Sequence, residues 1–339
     1  MVGGSGYTGA ELLRLLAAHA AIEVVHVTAD SNAGSPVGAR YPSLAGAYAH
    51  IDYVRYDPGD LAGLDVVFLA LPHGESQRIA PALVERVAHV VDLGADFRLP
   101  PADYARWYGQ AHGEPALVER FAFGLPELFR GSVRRGPHVA VPGCYPTAVA
   151  LALAPLLADR LVEPAGIVVD AMSGVSGRGR GLSTPSLYSE ANESVAPYGL
   201  LTHRHTGEME WALRRSANTD VQLLFTPHLV PMTRGLLATC HARSATAGLT
   251  TASLLEHFRA FYAEAPFVTV RDDPPVTKAT LGSNHAHVTV RFDERTSSVL
   301  AFCALDNLGK GAAGQAVQCA NLVLGLPEAT GLPPAGIMP

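Results

Sequence analysis

Gly3-Gly4-Ser5-Gly6-Tyr7-Thr8-Gly9 places glycines at 3, 6 and 9 directly ahead of an apolar helical pattern at residues 11–20, and a strand-like run at 23–28 follows. Such a turn lets backbone N–H groups approach a pyrophosphate at the positive end of a helix dipole. The G-x-x-G-x-x-G spacing alone also suits a merely tight glycine turn, so the helix and strand behind it carry the interpretation. Working outward, residues 65–71 (DVVFLAL) form a fully apolar run suited to a buried strand, 79–87 a helix, and 90–93 the next strand. Each run ends in a loop rich in Gly, Pro, Asp or His, and the carboxyl-end loops of an open α/β sheet are where ligands bind. Only Met1 and Val2 precede the motif, where a dinucleotide fold needs a whole strand. A natural N-terminal extension of several residues is therefore expected to be missing from this chain.

The pattern changes after about residue 165. Residues 287–293 alternate, with Val288, Val290 and Phe292 on one face and His287, Thr289, Arg291 and Asp293 on the other, as in a half-buried antiparallel strand. Residues 221–225, 236–242 and 299–305 are further strands. The helix expected at 252–262 sets Leu254, Leu255, Phe258, Phe261 and Tyr262 at helical spacing as core residues. A chain of 339 residues suits two domains at roughly 150 residues each. The second is expected to be an antiparallel sheet with helices on one face.

With 48% hydrophobic and 17% charged residues, the chain lacks the signature of disorder. Its net charge of -6 and the absence of any block of like charges argue against nucleic acid as a partner. The longest apolar stretch, 148–158, is interrupted by Pro155 and falls short of the roughly 18 to 20 residues of a membrane span. No basic region followed by an apolar run opens the chain, so a cytoplasmic protein is expected. Cys144, Cys240, Cys303 and Cys319 form no C-x-x-C pair, which fits reduced thiols.

One of the four stands apart. In Val141-Pro142-Gly143-Cys144-Tyr145-Pro146-Thr147-Ala148 the cysteine ends a strand at 138–141 and opens an apolar helix toward Leu153. A helix N-terminus stabilises a thiolate and makes it a nucleophile, and Pro146 suits the first helical turn. The other three lie within apolar patterns and suit the core. A nucleophilic thiol needs a proton partner, and Leu201-Thr202-His203-Arg204-His205-Thr206-Gly207-Glu208 offers two. If extended, the segment sends both imidazoles to one side and Arg204 to the other, and imidazole suits proton transfer near neutrality. A two-His metal site, repeated at His285-Ala286-His287, is the competing interpretation, but no third and fourth ligands stand nearby.

Anion sites are expected at Ser173 to Arg180, a Gly/Ser-rich segment holding Arg178, and at Thr226 to Gly235, which holds Arg234. Arg98 ends a sheet strand and is a third candidate, since arginine grips carboxylate or phosphate with a bidentate fork. At Thr28-Ala29-Asp30-Ser31-Asn32, Asp30 suits a ribose 2′-hydroxyl and so NAD, whereas Ser31 and Asn32 suit a 2′-phosphate and so NADP. The local residues leave that choice open.

Taken together, GGSGYTGAELLRLL (3–16), LPHGESQ (71–77), DLGADFRL (92–99), GLPEL (124–128), PGCYPTA (142–148), SGVSGRGR (173–180), HRHTGEME (203–210), PHLVPMTRG (227–235), GSNHAHV (282–288) and DNLGKGAAGQAVQ (306–318) resemble the N-acetyl-γ-glutamyl-phosphate reductases, within the aspartate-semialdehyde dehydrogenase superfamily. PGCYPT with HRH is highly specific to that family, while the glycine motif is not. The resemblance covers nearly the whole chain. It implies an α/β fold, with a Rossmann-type dinucleotide-binding domain (1–143 and 308–339) and an α+β catalytic and dimerisation domain with a mostly antiparallel sheet (144–307). It further implies Cys144 as nucleophile, His205 or His203 as acid/base, and NADPH as hydride donor. Gly3, Gly4, Ser5, Gly6, Tyr7, Thr8, Ser31, Asn32 and Pro72 would line the cofactor, with Asn307 near the nicotinamide. Ser173, Arg178, Arg234 and Arg98 would bind a small acyl-phosphate substrate, in a homodimer or homotetramer without resident metal. Three rivals remain: a sister reductase acting on aspartyl or carrier-linked aminoadipyl phosphate, a non-catalytic dinucleotide sensor, and a metal hydrolase built on the H-x-H pairs.

Overall fold

The computed structural model describes residues 1–338, which divide into two compact units. The first comprises Met1–Pro142 and Ala312–Leu332. Its helices and strands run α1 (Tyr7–Leu16), α2 (Val37–Arg40), β1 (Val66–Leu69), α3 (Ser76–Leu83), β2 (His89–Asp92), α4 (Pro101–Tyr108), β3 (Phe121–Phe123), α5 (Pro126–Arg135) and β4 (His138–Ala140). The four strands form an all-parallel sheet in the order β1-β2-β4-β3. Beyond β1 the sheet continues through single parallel bridges: Val2 pairs with Leu69 on one side and Thr28 on the other, and Thr28 pairs with Val54. Val2 donates its N–H to the Phe68 carbonyl at 2.8 Å, and Thr28 donates to the Met1 carbonyl at 2.9 Å. The spatial order thus reverses at Val2, with the chain stepping outward to 28 and 54 and then back across to β1. The glycine turn emerges at this switch point, the expected location of a ligand in an open parallel sheet.

Two local expectations are corrected. The helix anticipated at 11–20 spans Tyr7–Leu16, starting straight from the glycine turn. The strand anticipated at 23–28 is reduced to the bridge at Thr28, because Met1 and Val2 pair only with its end and a ladder needs a neighbour along its length. The core beneath the sheet gathers Val2, Leu61, Val67, Leu69, Leu83, Val90, Phe97 and Phe121, with Phe97 stacked on Phe121 at 4.1 Å.

The second unit comprises Gly143–Gly311 and residues 333–338. Its order is α6 (Cys144–Ala158), β5 (Ile167–Gly174), α7 (Tyr188–Ala191), β6 (Ala196–Pro197), α8 (His205–Ala217), β7 (Leu223–Val230), β8 (Leu236–Arg243), α9 (Thr251–Phe261), β9 (Val268–Val270), β10 (Ala286–Asp293) and β11 (Ser298–Leu305). The seven strands lie in the order β6-β7-β5-β8-β11-β10-β9, antiparallel except for the β5–β7 and β9–β10 pairs. An apolar helix on all sides is a buried helix, and α6 is buried from Tyr145 to Leu157. Pro155 lies inside it and cannot donate to the Leu151 carbonyl one turn earlier. Tyr262 supplies the replacement, donating its hydroxyl to that carbonyl at 2.6 Å.

After the second unit, α10 (Gly314–Val323) belongs to the first. There the Gln318 amide donates to Glu127 and Glu328, and His19 pairs with Asn321 at 2.9 Å. The division differs from 1–143 and 308–339: residues 143 and 308–311 fall in the second unit, and so does the end of the chain, where Ile337 donates its N–H to the Leu281 carbonyl and its side chain covers Gly282. Among the described residues, no helix is long and apolar enough to cross a membrane.

Candidate active site

Cys144 is the first residue of α6, behind the N-cap Gly143. Thr147 fixes this turn by donating both its N–H and its hydroxyl to the Gly143 carbonyl, each at 3.0 Å. From another element, Glu208 accepts the Gly143 N–H at 3.0 Å. Cys144 is the one cysteine not buried. Cys240 is wholly enclosed, and burial pushes its thiol far above the ordinary range. Cys303 and Cys319 are equally enclosed. Beside the nucleophile candidate lies Gly311, on which a Cβ would stand only 2.7 Å from that of Cys144.

The two histidines are not laid out along an extended segment as expected. Arg204 has helical dihedrals (φ -60, ψ -24), and His205 begins α8. The start of a helix leaves N–H groups without helical partners. His203 answers this, its Nδ1 accepting the His205 N–H at 3.2 Å and its carbonyl accepting from Thr206. The imidazoles still meet, with ring centroids 4.8 Å apart. His203 sits edge-on to Tyr145, Tyr198 and Phe225 at 5.4–5.7 Å. Burial, reinforced by His205, pushes its pKa down to about 3, so it stays neutral at physiological pH. His205 lies 5.9 Å from the Tyr145 ring, and its Nε2 faces Glu208 Oε1 at 3.9 Å. Tyr198 donates to the Tyr145 hydroxyl at 3.1 Å, and burial holds the Tyr198 phenol up at about 12.

The two anion loops read from the sequence are joined backbone to backbone. Gly174 donates to Gly235, Val175 to Met232 and Ser176 to Thr233. A Cβ on Gly174 would lie 2.9 Å from the Met232 and Thr233 carbonyls, which explains the glycine. Asn307 spans the same junction, accepting the Gly235 N–H at 2.8 Å and donating to Ser176 Oγ at 3.0 Å. Ser173 is buried at the end of β5. Arg234 is held by two contacts near 3 Å to the buried Asp306, which also accepts the Gly282, Leu308 and Gly309 N–H groups. Arg178 is exposed, its guanidinium 5.8 Å from the Tyr198 ring. Arg98 lies in the first unit, where it donates to the Leu93 carbonyl.

In the first unit, Gly3, Gly4 and Gly9 admit no side chain. A Cβ would lie 2.5 Å from the Ala70 carbonyl, 2.4 Å from Val27 and 2.6 Å from the Gly4 carbonyl, respectively, and Gly3 also has φ +82. Gly6 faces open space and caps α1 without any side-chain partner, with Ser5, Tyr7 and Thr8 around it. This close-packed turn, leading to an open helix N-terminus, fits a dinucleotide pyrophosphate. Asp30–Asn32 forms a short turn past the Thr28 bridge, with Asp30 accepting the Tyr56 N–H at 3.3 Å and Asn32 donating to Ser31 at 2.9 Å. Pro72 is exposed at the carboxyl end of β1.

The family model described as semialdehyde dehydrogenase, NAD binding domain, matches residues 1–135, and the one described as semialdehyde dehydrogenase, dimerisation domain, matches 144–307. The chain is 46% identical to the N-acetyl-gamma-glutamyl-phosphate reductase of Pseudomonas syringae pv. syringae (strain B728a), over 100% of this chain and 98% of that one. It is 48% identical to the enzyme of that name from Symbiobacterium thermophilum, over 99% and 97%. The chain belongs to the N-acetyl-gamma-glutamyl-phosphate reductase family. Its fold is similar to that of aspartate semialdehyde dehydrogenase II from Vibrio cholerae, solved with ASA (TM-score 0.72, 17% identity, 95% and 96% covered). It is also similar to the Candida albicans aspartate semialdehyde dehydrogenase solved with NADP (TM-score 0.70, 16% identity, 96% and 97% covered).

For a member of this reductase family, the second unit brings together Cys144, His203, His205, Tyr145 and the joined 173–178 and 232–235 loops. Glu208, Gly311, Tyr198 and Asp306 were not singled out by sequence. The His-x-x-Glu spacing of 205–208 was the one available signal, since residues three apart share a helix face.

Proposed function

We infer that this chain catalyses the NADPH-dependent reduction of N-acetyl-γ-glutamyl phosphate to N-acetylglutamate 5-semialdehyde and phosphate, in arginine biosynthesis. The observation that carries this is the one cysteine that is not buried, set at a helix start next to Tyr145, whose ring packs against His203 and His205, in a chain so similar to these reductases along its whole length.

His205 accepts the Cys144 thiol proton, and Sγ attacks the acyl carbon. The C–O bond to phosphate breaks, phosphate departs with its electron pair, and a thioester remains on Cys144. NADPH, when bound, supplies the hydride that reduces the thioester carbon. The resulting thiohemiacetal oxyanion re-forms its carbonyl, the C–S bond breaks toward sulfur, and the aldehyde leaves. His205 passes the proton it holds to the phosphate as it departs, and the Cys144 thiolate released with the aldehyde takes up a proton from water, which restores the thiol. His203 is unsuited to this exchange, because it stays neutral and its Nδ1 is engaged by the His205 N–H. Its role is to hold the start of α8.

Arg178, exposed beside Tyr198, receives the anionic groups of the substrate, with Ser173 at the floor of the same loop. Arg234, gripped by Asp306, keeps the 232–235 loop in place, and Asn307 ties it to Ser176. Gly3 to Thr8 bind the pyrophosphate, and Ser31 and Asn32 the 2′-phosphate. The enzyme works in the cytoplasm as a homodimer or homotetramer.

The reverse assay tests this directly. Supplying N-acetylglutamate semialdehyde, phosphate and NADP should give phosphate-dependent formation of reduced nicotinamide, faster than with NAD. Turnover of aspartate semialdehyde but not the acetylated substrate would overturn the substrate assignment.

A further inference from the structure

We propose that Glu208 is a positioning residue that couples the nucleophile's helix to the proton carrier. The inference rests on the roles given to Cys144 and His205 above. Glu208 is fully buried, and an ionised carboxylate out of water is costly unless its charge and lone pairs are met. Its two oxygens are divided. Oε2 accepts the N–H of Gly143, the residue immediately before Cys144, at 3.0 Å. Oε1 faces His205 Nε2 at 3.9 Å.

The backbone makes this arrangement possible. His205 and Glu208 are three residues apart in the first turn of α8, so they share a face, and the positive end of that helix favours a carboxylate there. Gly143 lies 65 residues away in sequence and caps a different helix. One side chain therefore fixes where α6 begins and faces the ring that carries the thiol proton. At 3.9 Å the contact with His205 is an ion-pair distance rather than a hydrogen bond, and it gains strength once His205 is protonated. The same carboxylate also favours protonation of His203, but burial outweighs it and keeps that ring neutral. Tyr145, which packs against both rings, carries no charge because burial pushes its phenol far above the ordinary range. Arg204 is exposed, so its charge is screened. His205, whose Nε2 faces Glu208 Oε1, is thus a group on which the Glu208 charge acts.

Glu208→Gln keeps the shape and a carbonyl oxygen for the Gly143 N–H while removing the charge. In the full chain it should lower kcat about ten- to hundredfold, as loss of a group that orients a reacting side chain does, with KM changed less than about twofold. Alkylation of Cys144 by iodoacetamide at pH 7 should slow by a similar factor. In a His205→Asn background, Glu208→Gln should have almost no further effect on either quantity, because the group through which it acts is gone. Should Glu208→Gln not fold, Glu208→Asp, which draws the charge back by one methylene, serves in the same cycle. Unchanged alkylation, or effects of the two substitutions that simply multiply, would overturn the proposal and leave Glu208 a structural acceptor. Alkylation needs no substrate, so it separates this outcome from a wrong substrate assignment, in which turnover alone would be missing from the wild-type protein.

Discussion

Gly311 presses its α-carbon against Cys144 so closely that a methyl group on it would come within 2.7 Å of the cysteine's Cβ. The same methyl would meet Leu305 at 3.2 Å and the Asp306 carbonyl at 3.3 Å, so it has no free direction. Gly311 does not have a positive φ, which makes space rather than backbone freedom the reason for glycine. Gly311→Ala is expected to shift Cys144 and lower kcat by at least about tenfold, since small misplacements at a reacting atom cost much in rate. It should also destabilise the fold by about 1–3 kcal/mol through overpacking. Steady-state kinetics and urea unfolding of the variant check both.

The Tyr262 hydroxyl that serves Leu151 stands in for the N–H that Pro155 lacks. Tyr262→Phe leaves a buried carbonyl without its donor, at a cost of about 1–3 kcal/mol. Pro155→Ala restores a backbone donor to the same carbonyl, so the double variant should recover most of that loss. Thermal unfolding of the four proteins of this cycle gives the answer, and simple additivity would show that the two donors are not interchangeable.

Acid should weaken the fold. Burial lowers His203 to about 3 and His138 to about 4, from an ordinary value of 6.5. A base with a depressed folded-state pKa contributes stability that is fully present above 6.5 and lost as pH falls toward 3–4, because only the unfolded chain binds the proton there. Asp92 acts with the opposite sign, since burial raises it to about 6 and protonation below that favours the fold, down to its ordinary 3.8. Two histidines against one carboxylate give a net loss between pH 6.5 and 5. The urea midpoint should fall over that range, and His203→Asn, which keeps an acceptor near the Nδ1 position, should flatten the fall.

Asp30 is exposed in the turn that carries Ser31 and Asn32. Its charge repels a 2′-phosphate placed there, so Asp30→Asn should lower KM for NADPH several-fold without lowering KM for NADH. Equal effects on both cofactors would place the adenosine ribose elsewhere.

What was legible in the sequence was local. Glycine spacing, the all-apolar run at 65–71 and the cysteine at a strand-to-helix corner each follow from short-range pattern, and strand β1 and helix α6 occupy those places. The run at 23–28 has strand-like residues but no ladder, since a strand exists only where a neighbour pairs along it. The 203–205 segment alternates as a strand would, yet it starts a helix, because the His203 ring satisfies an N–H that no periodicity reveals. Arg234 looked like a ligand for an anion and is gripped by Asp306, 72 residues away. Glu208 stayed unremarked for the same reason, as its partner Gly143 is 65 residues distant. Long-range pairings of buried charge are what a single sequence conceals.

The covalent role of Cys144 is the central claim, and intact-mass spectrometry tests it most directly. Wild-type protein mixed with N-acetyl-γ-glutamyl phosphate in the absence of NADPH, and quenched in acid, should gain the mass of one N-acetylglutamyl group, located to the peptide containing Cys144 and removed by hydroxylamine. Cys144→Ser should gain none under the same conditions and lose nearly all turnover. An unmodified wild-type chain that still reduces the acyl phosphate at full rate when NADPH is added, or a Cys144→Ser variant that keeps even a tenth of that rate, would contradict the thioester route.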